Sequence, residues 1–195
     1  GTAETLAIFS LVLNQLRQEG IDKEQWKGSI VCATDPNSGA LRALVNRYKL
    51  DSLSIPSNIG GRFSAFTPVS YLPALFAGID IDLYCLGAEK LKKSLLDEEL
   101  KDNSLLKCAL YLKSLKDSKR INQTVFMPYS SKLKLLSSWF VQLWAESLGK
   151  KNSFSKDNVY EGLTPISAYG VTDQHSQLQL FMEGPRDKCI LFLQI

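Results

Sequence analysis

The chain has a single histidine, His175, and four cysteines, Cys32, Cys85, Cys108 and Cys189, so far apart that no pair has metal-ligand spacing. With no second imidazole and no clustered thiols, a metal lacks a ligand set. The cysteines lie in apolar settings such as "IVCATD" and "DKCILFLQI", which reads as reduced core thiols of a cytoplasmic protein. Long hydrophobic runs are missing too: none approaches the ~18 residues of a membrane span, and no signal peptide opens the sequence. There is no G-x-S-x-G, and Ser176 beside the histidine is not arranged for attack, which argues against a serine hydrolase. Charge of one sign is also lacking. Twenty-three basic residues stand against 20 acidic ones, for a net charge of +3, with both signs interspersed. Nucleic-acid binders concentrate basic residues on one face, so that class loses weight; a small anion held by one or two cations does not.

What remains is an ordinary globular composition, 45% hydrophobic and 22% charged over 195 residues, with enough chain to bury a core. From Ala3 to Glu19 the apolar Leu6, Ile8, Phe9, Leu13 and Leu16 recur at helical spacing, and Gly20 ends the run. "GSIVCATD" reads as a short buried strand entering a turn at Asp35-Pro36-Asn37-Ser38-Gly39. "ALRALVNRYK" is then a helix and "LDSLSIP" a second strand, the alternation of a parallel α/β sheet. Residues from Pro68 to about Leu100 read as helices and connectors that become highly charged. The grammar then repeats: helix "SLLKCALYLKSL", strand "QTVFMPY", a long helix in "SKLKLLSSWFVQLWAESLGK" closed by Gly149, a polar loop at "KKNSFSKDN", turn plus helix in "TPISAYGVTDQHSQLQLFMEG", and strand "KCILFLQI". The expected architecture is two αβ lobes, 1–100 and 101–195, both incomplete. The chain enters a helix almost at once and stops on a buried-looking strand, as a piece of something larger would.

Four places could carry chemistry. In "SWFVQLWAESLGK", Leu136, Phe140, Leu143 and Trp144 form the core-facing stripe, while Gln142 and Glu146, one turn apart, share another face. The helix dipole opposes negative charge in the last turn, a useful push for a carboxylate acting as general base; a solvated glutamate fits the same spacing. In "IGGRFS", Gly60 and Gly61 let backbone and the Arg62 guanidinium approach a ligand, and an arginine there could hold an anion or a developing oxyanion. Taken alone, the motif is read more simply as a tight turn with a surface arginine. Gly1-Thr2 before a helix could bind phosphate through backbone N–H groups and the Thr hydroxyl, or be a plain cap. His175, in the polar "VTDQHSQLQL", is either a proton shuttle or incidental to a cap in which Asp173 satisfies helix N–H groups.

In this order the segments are specific. "SNIGGRFSAFTPVSYLP" closely resembles the first signature segment of glucose-6-phosphate isomerases (phosphoglucose isomerases). "GTAETLA" resembles the end of their phosphate loop, "ATDPNSGALRALV" the segment before the signature, "WAESLGK" the glutamate segment, and "TDQHSQLQLFMEGPRDK" the histidine segment of bacterial members. The resemblance implies two sugar-isomerase (SIS) α/β lobes, a cytoplasmic homodimer, no cofactor or metal, and interconversion of glucose 6-phosphate and fructose 6-phosphate. It gives Glu146 the role of base between C2 and C1, and Arg62 that of the cation beside the cis-enediolate. His175 would assist ring opening, from the neighbouring subunit. Gln142, Gly60 and Gly61 would contact substrate, and Gly1 and Thr2 would end the phosphate loop. The sequence departs from the pattern in lacking the first part of that loop and the segment carrying a catalytic lysine; Lys150, Lys151 and Lys188 lie in no segment resembling it. These residues alone are therefore expected to be inactive or nearly so. A non-catalytic SIS module that senses a phosphosugar, and an isomerase for another sugar phosphate, are the competing readings.

Overall fold

The structure, a computed structural model, describes residues 3–97, 99 and 101–195. The chain divides into two units, Gly1–Glu89 and Lys90–Ile195, each of which packs its own core. Gly1 and Thr2, expected in the phosphate loop, lie outside the described residues.

The first unit opens with α1 (Ala3–Gln18). Its end is set by Gly20, at φ 78°: Ile21 N–H reaches back to the Leu16 carbonyl at 2.9 Å and Gly20 N–H to that of Arg17 at 3.1 Å. That left-handed closure needs the residue without a Cβ. Strand β1 (Val31–Thr34) pairs in parallel with β2 (Asp51–Ser54), Val31 opposite Asp51 and Thr34 opposite Ser54, across the helix α2 (Ala40–Tyr48). Trp26, Ile30, Cys32, Val45 and Leu50 form the buried cluster, with Phe9, Leu13 and Leu16 of α1 packed against it. Ile8, counted in the helical stripe from spacing, is instead 62% exposed. After β2 comes a 3-10 turn (Gly61–Phe66), then α3 (Pro68–Phe76) and α4 (Ile81–Asp97). Thr67 caps α3, accepting from Val69 N–H at 3.4 Å and donating to Ser64 O at 2.8 Å, with Pro68 at the first helical position.

The second unit carries α5 (Ser104–Lys119), capped by the Asn103 carboxamide on Leu106 N–H at 2.9 Å. Next come the central strand β3 (Gln123–Pro128), α6 (Lys134–Leu148), the hairpin of β4 (Lys150–Asn152) and β5 (Asn158–Glu161), strand β6 (Thr164–Ser167), α7 (Thr172–Glu183) and β7 (Lys188–Leu193). The sheet is ordered β6-β3-β7 and is parallel throughout. Val125, Met127, Ala168 and Phe181 are its buried core, and burying a large apolar side chain contributes roughly 1.5–3 kcal/mol. The α6 stripe of Leu136, Phe140, Leu143 and Trp144 is half-buried, and the deepest α6 residue is Ser137. Its hydroxyl donates to Lys134 O and accepts from Ser167 Oγ, both at 2.8 Å, so a polar atom in the core is satisfied twice.

The α/β class with short parallel sheets stands. Three expectations need correction. Residues 150–158, read as a loop, hold β4 and the start of β5, the two strands of a hairpin that ends at Glu161. The turn read at 164–167 is strand β6. Of the four thiols, all free, Cys32 is buried, Cys85 and Cys189 are half-buried, and Cys108 is exposed on α5, so it is not a core residue.

Candidate active site

In the first unit, β1 and β2 end side by side, and Ile55 N–H extends their pairing to Thr34 O at 2.9 Å. Past these carboxyl ends, where open α/β sheets bind ligands, lies a cleft of about 690 Å³. It is lined by Thr5, Thr34, Ser38, Ser57, Ser64 and Gly61 among apolar residues such as Val31, Leu41, Ile55 and Leu72.

The twin glycines sit at its edge without left-handed backbone: Gly60 is extended at φ −71°, and Gly61 is not among the positive-φ glycines. A Cβ on Gly61 would meet nothing within 4 Å. Backbone conformation thus does not demand glycine here; the open space beside the cleft does not either, until something occupies it. Arg62 is the second residue of the 3-10 turn, half-buried, its guanidinium 4.8 Å over the Phe63 ring. Phe63 N–H bonds Gly60 O at 2.9 Å and Ser64 Oγ bonds Gly61 O at 2.6 Å, so the arginine's backbone is held on both sides.

In the second unit, Gln142 and Glu146 share the exposed face of α6, the Gln142 Nε2 donating to Glu146 Oε1 at 3.2 Å. Lys150 Nζ covers the carbonyls that end the helix, at 2.8 Å from Ser147 O and 3.4 Å from Glu146 O. Gly149 closes the helix in extended rather than left-handed backbone, φ −66°. A smaller hollow of about 390 Å³, walled by Leu112, Trp144 and Leu163 among others, does not include Gln142 or Glu146.

His175 is exposed on the first turn of α7. Asp173 does not cap that helix, as the sequence suggested: its carboxylate accepts the N–H of Tyr169, upstream, at 2.7 Å, fastening the turn between β6 and α7. Within this unit His175 and Glu146 are kept apart. Trp144 Nε1 donates to Leu163 O at 3.1 Å, just before β6 begins, so the end of α6 lies at the amino end of β6. His175 follows the carboxyl end of the same strand, on the first turn of α7. Among the described residues no three histidine, cysteine or acidic side chains gather as a metal site, and no helix is long and apolar enough to cross a membrane.

A profile of the phosphoglucose isomerase family matches residues 2–194. The chain belongs to that family. It is 40% identical over 195 residues to the glucose-6-phosphate isomerase of Carboxydothermus hydrogenoformans, covering all of this chain and 41% of the relative. The Thermus thermophilus glucose-6-phosphate isomerase is 43% identical over 189 residues, 97% of this chain and 44% of its own. A crystal structure of a hypothetical protein, also from Thermus thermophilus, superposes with TM-score 0.85 at 42% identity, over 98% of this chain and 44% of that one. A glucose-6-phosphate isomerase from Chlamydia trachomatis shares the fold, with TM-score 0.80 at 23% identity, over 98% of this chain and 37% of that one. The chain thus spans less than half the length of the curated relatives it matches.

Sequence reasoning passed over the contribution of Asp35, Ser57 and Ser38 to the cleft. The available signal was Asp35-Pro36-Asn37-Ser38-Gly39, read only as a turn, although an Asp opening such a turn aims its carboxylate at the N–H groups that follow.

Proposed function

We propose that this chain is part of an aldose–ketose isomerase that interconverts glucose 6-phosphate and fructose 6-phosphate through a cis-enediolate. Glu146 takes the proton from C2 of the open-chain aldose, and the electrons left behind move onto the carbonyl oxygen at C1, beside which Arg62 supplies a fixed positive charge; a proton passes from the C2 hydroxyl to the C1 oxygen, and as Glu146 returns its proton to C1 the carbonyl forms at C2. Gln142 holds the carboxylate from one turn away and contacts substrate, Gly60 and Gly61 leave room for it, and Gly1 and Thr2 bind its phosphate. His175 moves the ring-oxygen proton during opening. The bond changes balance within one substrate molecule, so no cofactor is required.

The observation that carries this reading is the Gln142–Glu146 hydrogen bond on an exposed helical face, in a chain that belongs to this family from end to end. The placement of the end of α6 at the amino end of β6 and of His175 beyond its carboxyl end supports a homodimer of SIS-type lobes in which a second copy brings its histidine to the site. Four free thiols support a cytoplasmic setting.

The test is a coupled assay with fructose 6-phosphate on a polypeptide of the relatives' length that contains this segment. Glu146→Gln should abolish turnover by several orders of magnitude and leave binding of a substrate analogue nearly intact, whereas a phosphosugar sensor would show binding and no turnover to lose. The 195 residues alone should turn over little or no substrate; full turnover by them would overturn the assignment of the missing lysine to catalysis.

A further inference from the structure

We propose that Asp173 is a positioning residue for His175: its carboxylate clasps the turn between β6 and α7 and so fixes the direction in which the imidazole leaves the helix. The proposal rests on the isomerase reading of His175.

The turn runs from Tyr169 to Asp173 and is closed twice by the same two residues. Asp173 N–H donates to Tyr169 O at 2.8 Å, and Asp173 Oδ2 accepts from Tyr169 N–H at 2.7 Å. A carboxylate that accepts a backbone N–H makes a short, charge-assisted bond. The clasp stands on the sheet. Ala168 N–H bonds Phe126 O and Gly170 N–H bonds Pro128 O, both at 3.1 Å, so the chain stays paired with β3 beyond the end of β6. Tyr129, held to Leu193 O through its own N–H at 2.9 Å, lies against the buried Gly170, where a Cβ would come 2.6 Å from a ring carbon. Lys134, at the start of α6, stands 5.7 Å over the Tyr169 ring. The base of the turn is therefore fixed, and Asp173 carries that hold into α7. Gln174 N–H bonds Val171 O at 3.1 Å, and His175 follows directly, exposed. Packing does not aim an exposed imidazole; the backbone that carries it does. Without the carboxylate, the N–H of the half-buried Tyr169 loses its acceptor and the clasp loses one of its two closures.

A group that moves a proton must stand within hydrogen-bond reach of it, so turning it aside lowers kcat more than it raises KM. In the polypeptide of the relatives' length, assayed with glucose 6-phosphate, Asp173→Ala should lower kcat by about ten- to a hundredfold, the scale of a misplaced group, with KM changed far less. Asp173→Asn keeps an acceptor oxygen for Tyr169 N–H and should recover most of that loss. The deciding comparison is made in His175→Ala, which keeps a slow turnover because sugar rings also open unaided. There Asp173→Ala should cost nothing further, since residues that act as a unit do not add; a merely structural role would lower kcat by the same factor in either background. Hydrogen exchange at the Tyr169 amide should quicken in Asp173→Ala and not in Asp173→Asn, while Val125 within β3 stays protected, a readout that needs no activity. If Asp173→Ala does not fold, Gly170→Ala replaces it, because the added Cβ displaces the same turn or the ring against it, and the same dependence on His175 is expected. A wild-type polypeptide without turnover would sink the isomerase reading. With wild-type turnover present, an undiminished kcat in Asp173→Ala, an equal loss with and without His175, or Asp173→Asn as slow as Asp173→Ala would overturn the positioning role.

Discussion

Replacing Arg42 by methionine tests the energetic logic of the first unit. Methionine keeps much of the arginine's length and volume, so packing against Val45 and its neighbours changes little, and what disappears is the fork. Each hydrogen bond from a charged donor is worth roughly 1.5–3 kcal/mol when its partner is left dry. Here the partners are not equally dry. Ser52 is exposed, so water replaces that bond; the Asp35 residue is half-buried, so its carbonyl is only partly re-satisfied. Removing a buried cation also relieves its desolvation cost. The expected net loss is therefore about 1–2 kcal/mol, a fall of roughly 1 M in urea midpoint for a unit of this size. Trp26 lies in the buried cluster of the same unit, and its fluorescence reports the transition once Trp139 and Trp144 are replaced by phenylalanine. Arg42→Lys, a point donor that reaches only one acceptor, should fall between the two. Arg42→Met matching or exceeding wild-type stability would show that desolvation outweighs the fork and would refute the reasoning.

The Asp35 carboxyl is pulled down to about 2, first by Asn37 N–H, then by the Ser57 hydroxyl and Ser38 N–H. A folded value below the ordinary carboxylate value of ~3.9 means that the contribution is complete above that pH and is lost as pH falls toward the folded value. Urea midpoints of the first unit between pH 5 and pH 2 should drop less steeply in Asp35→Asn than in wild type; parallel slopes would contradict this. A thiol reagent followed by peptide mapping should label Cys108 first, because it is exposed, whereas burial pushes the Cys32 and Cys189 thiols up and out of reach. Cys32 labelled as fast as Cys108 would place it outside the core.

What could be read without coordinates were the elements with strong local signals. The helix of 134–148 announces itself by period and a closing glycine, and β3 by its continuous apolar run, as befits a central parallel strand buried on both faces. β6 was invisible because its four residues include Pro165, which the sheet tolerates at its edge position beside Thr124. The β4–β5 hairpin was invisible because every one of its strand residues is exposed; backbone pairing alone makes it, and no alternation marks a buried face. At the site, Gln142 and Glu146 could be paired from a spacing of one turn. The Arg42 fork between Asp35 and Ser52 could not, since it joins residues whose proximity arises only when β1 and β2 lie side by side.

The central claim is that Glu146 moves a proton between adjacent sugar carbons. Incubating the polypeptide of the relatives' length with fructose 6-phosphate in D₂O, then following the C1 and C2 positions by NMR, tests it most directly. Solvent deuterium should enter the sugar phosphate during repeated wild-type turnover, and both exchange and isomerisation should vanish in Glu146→Gln. Exchange at the wild-type rate in that variant would show that another group carries the proton.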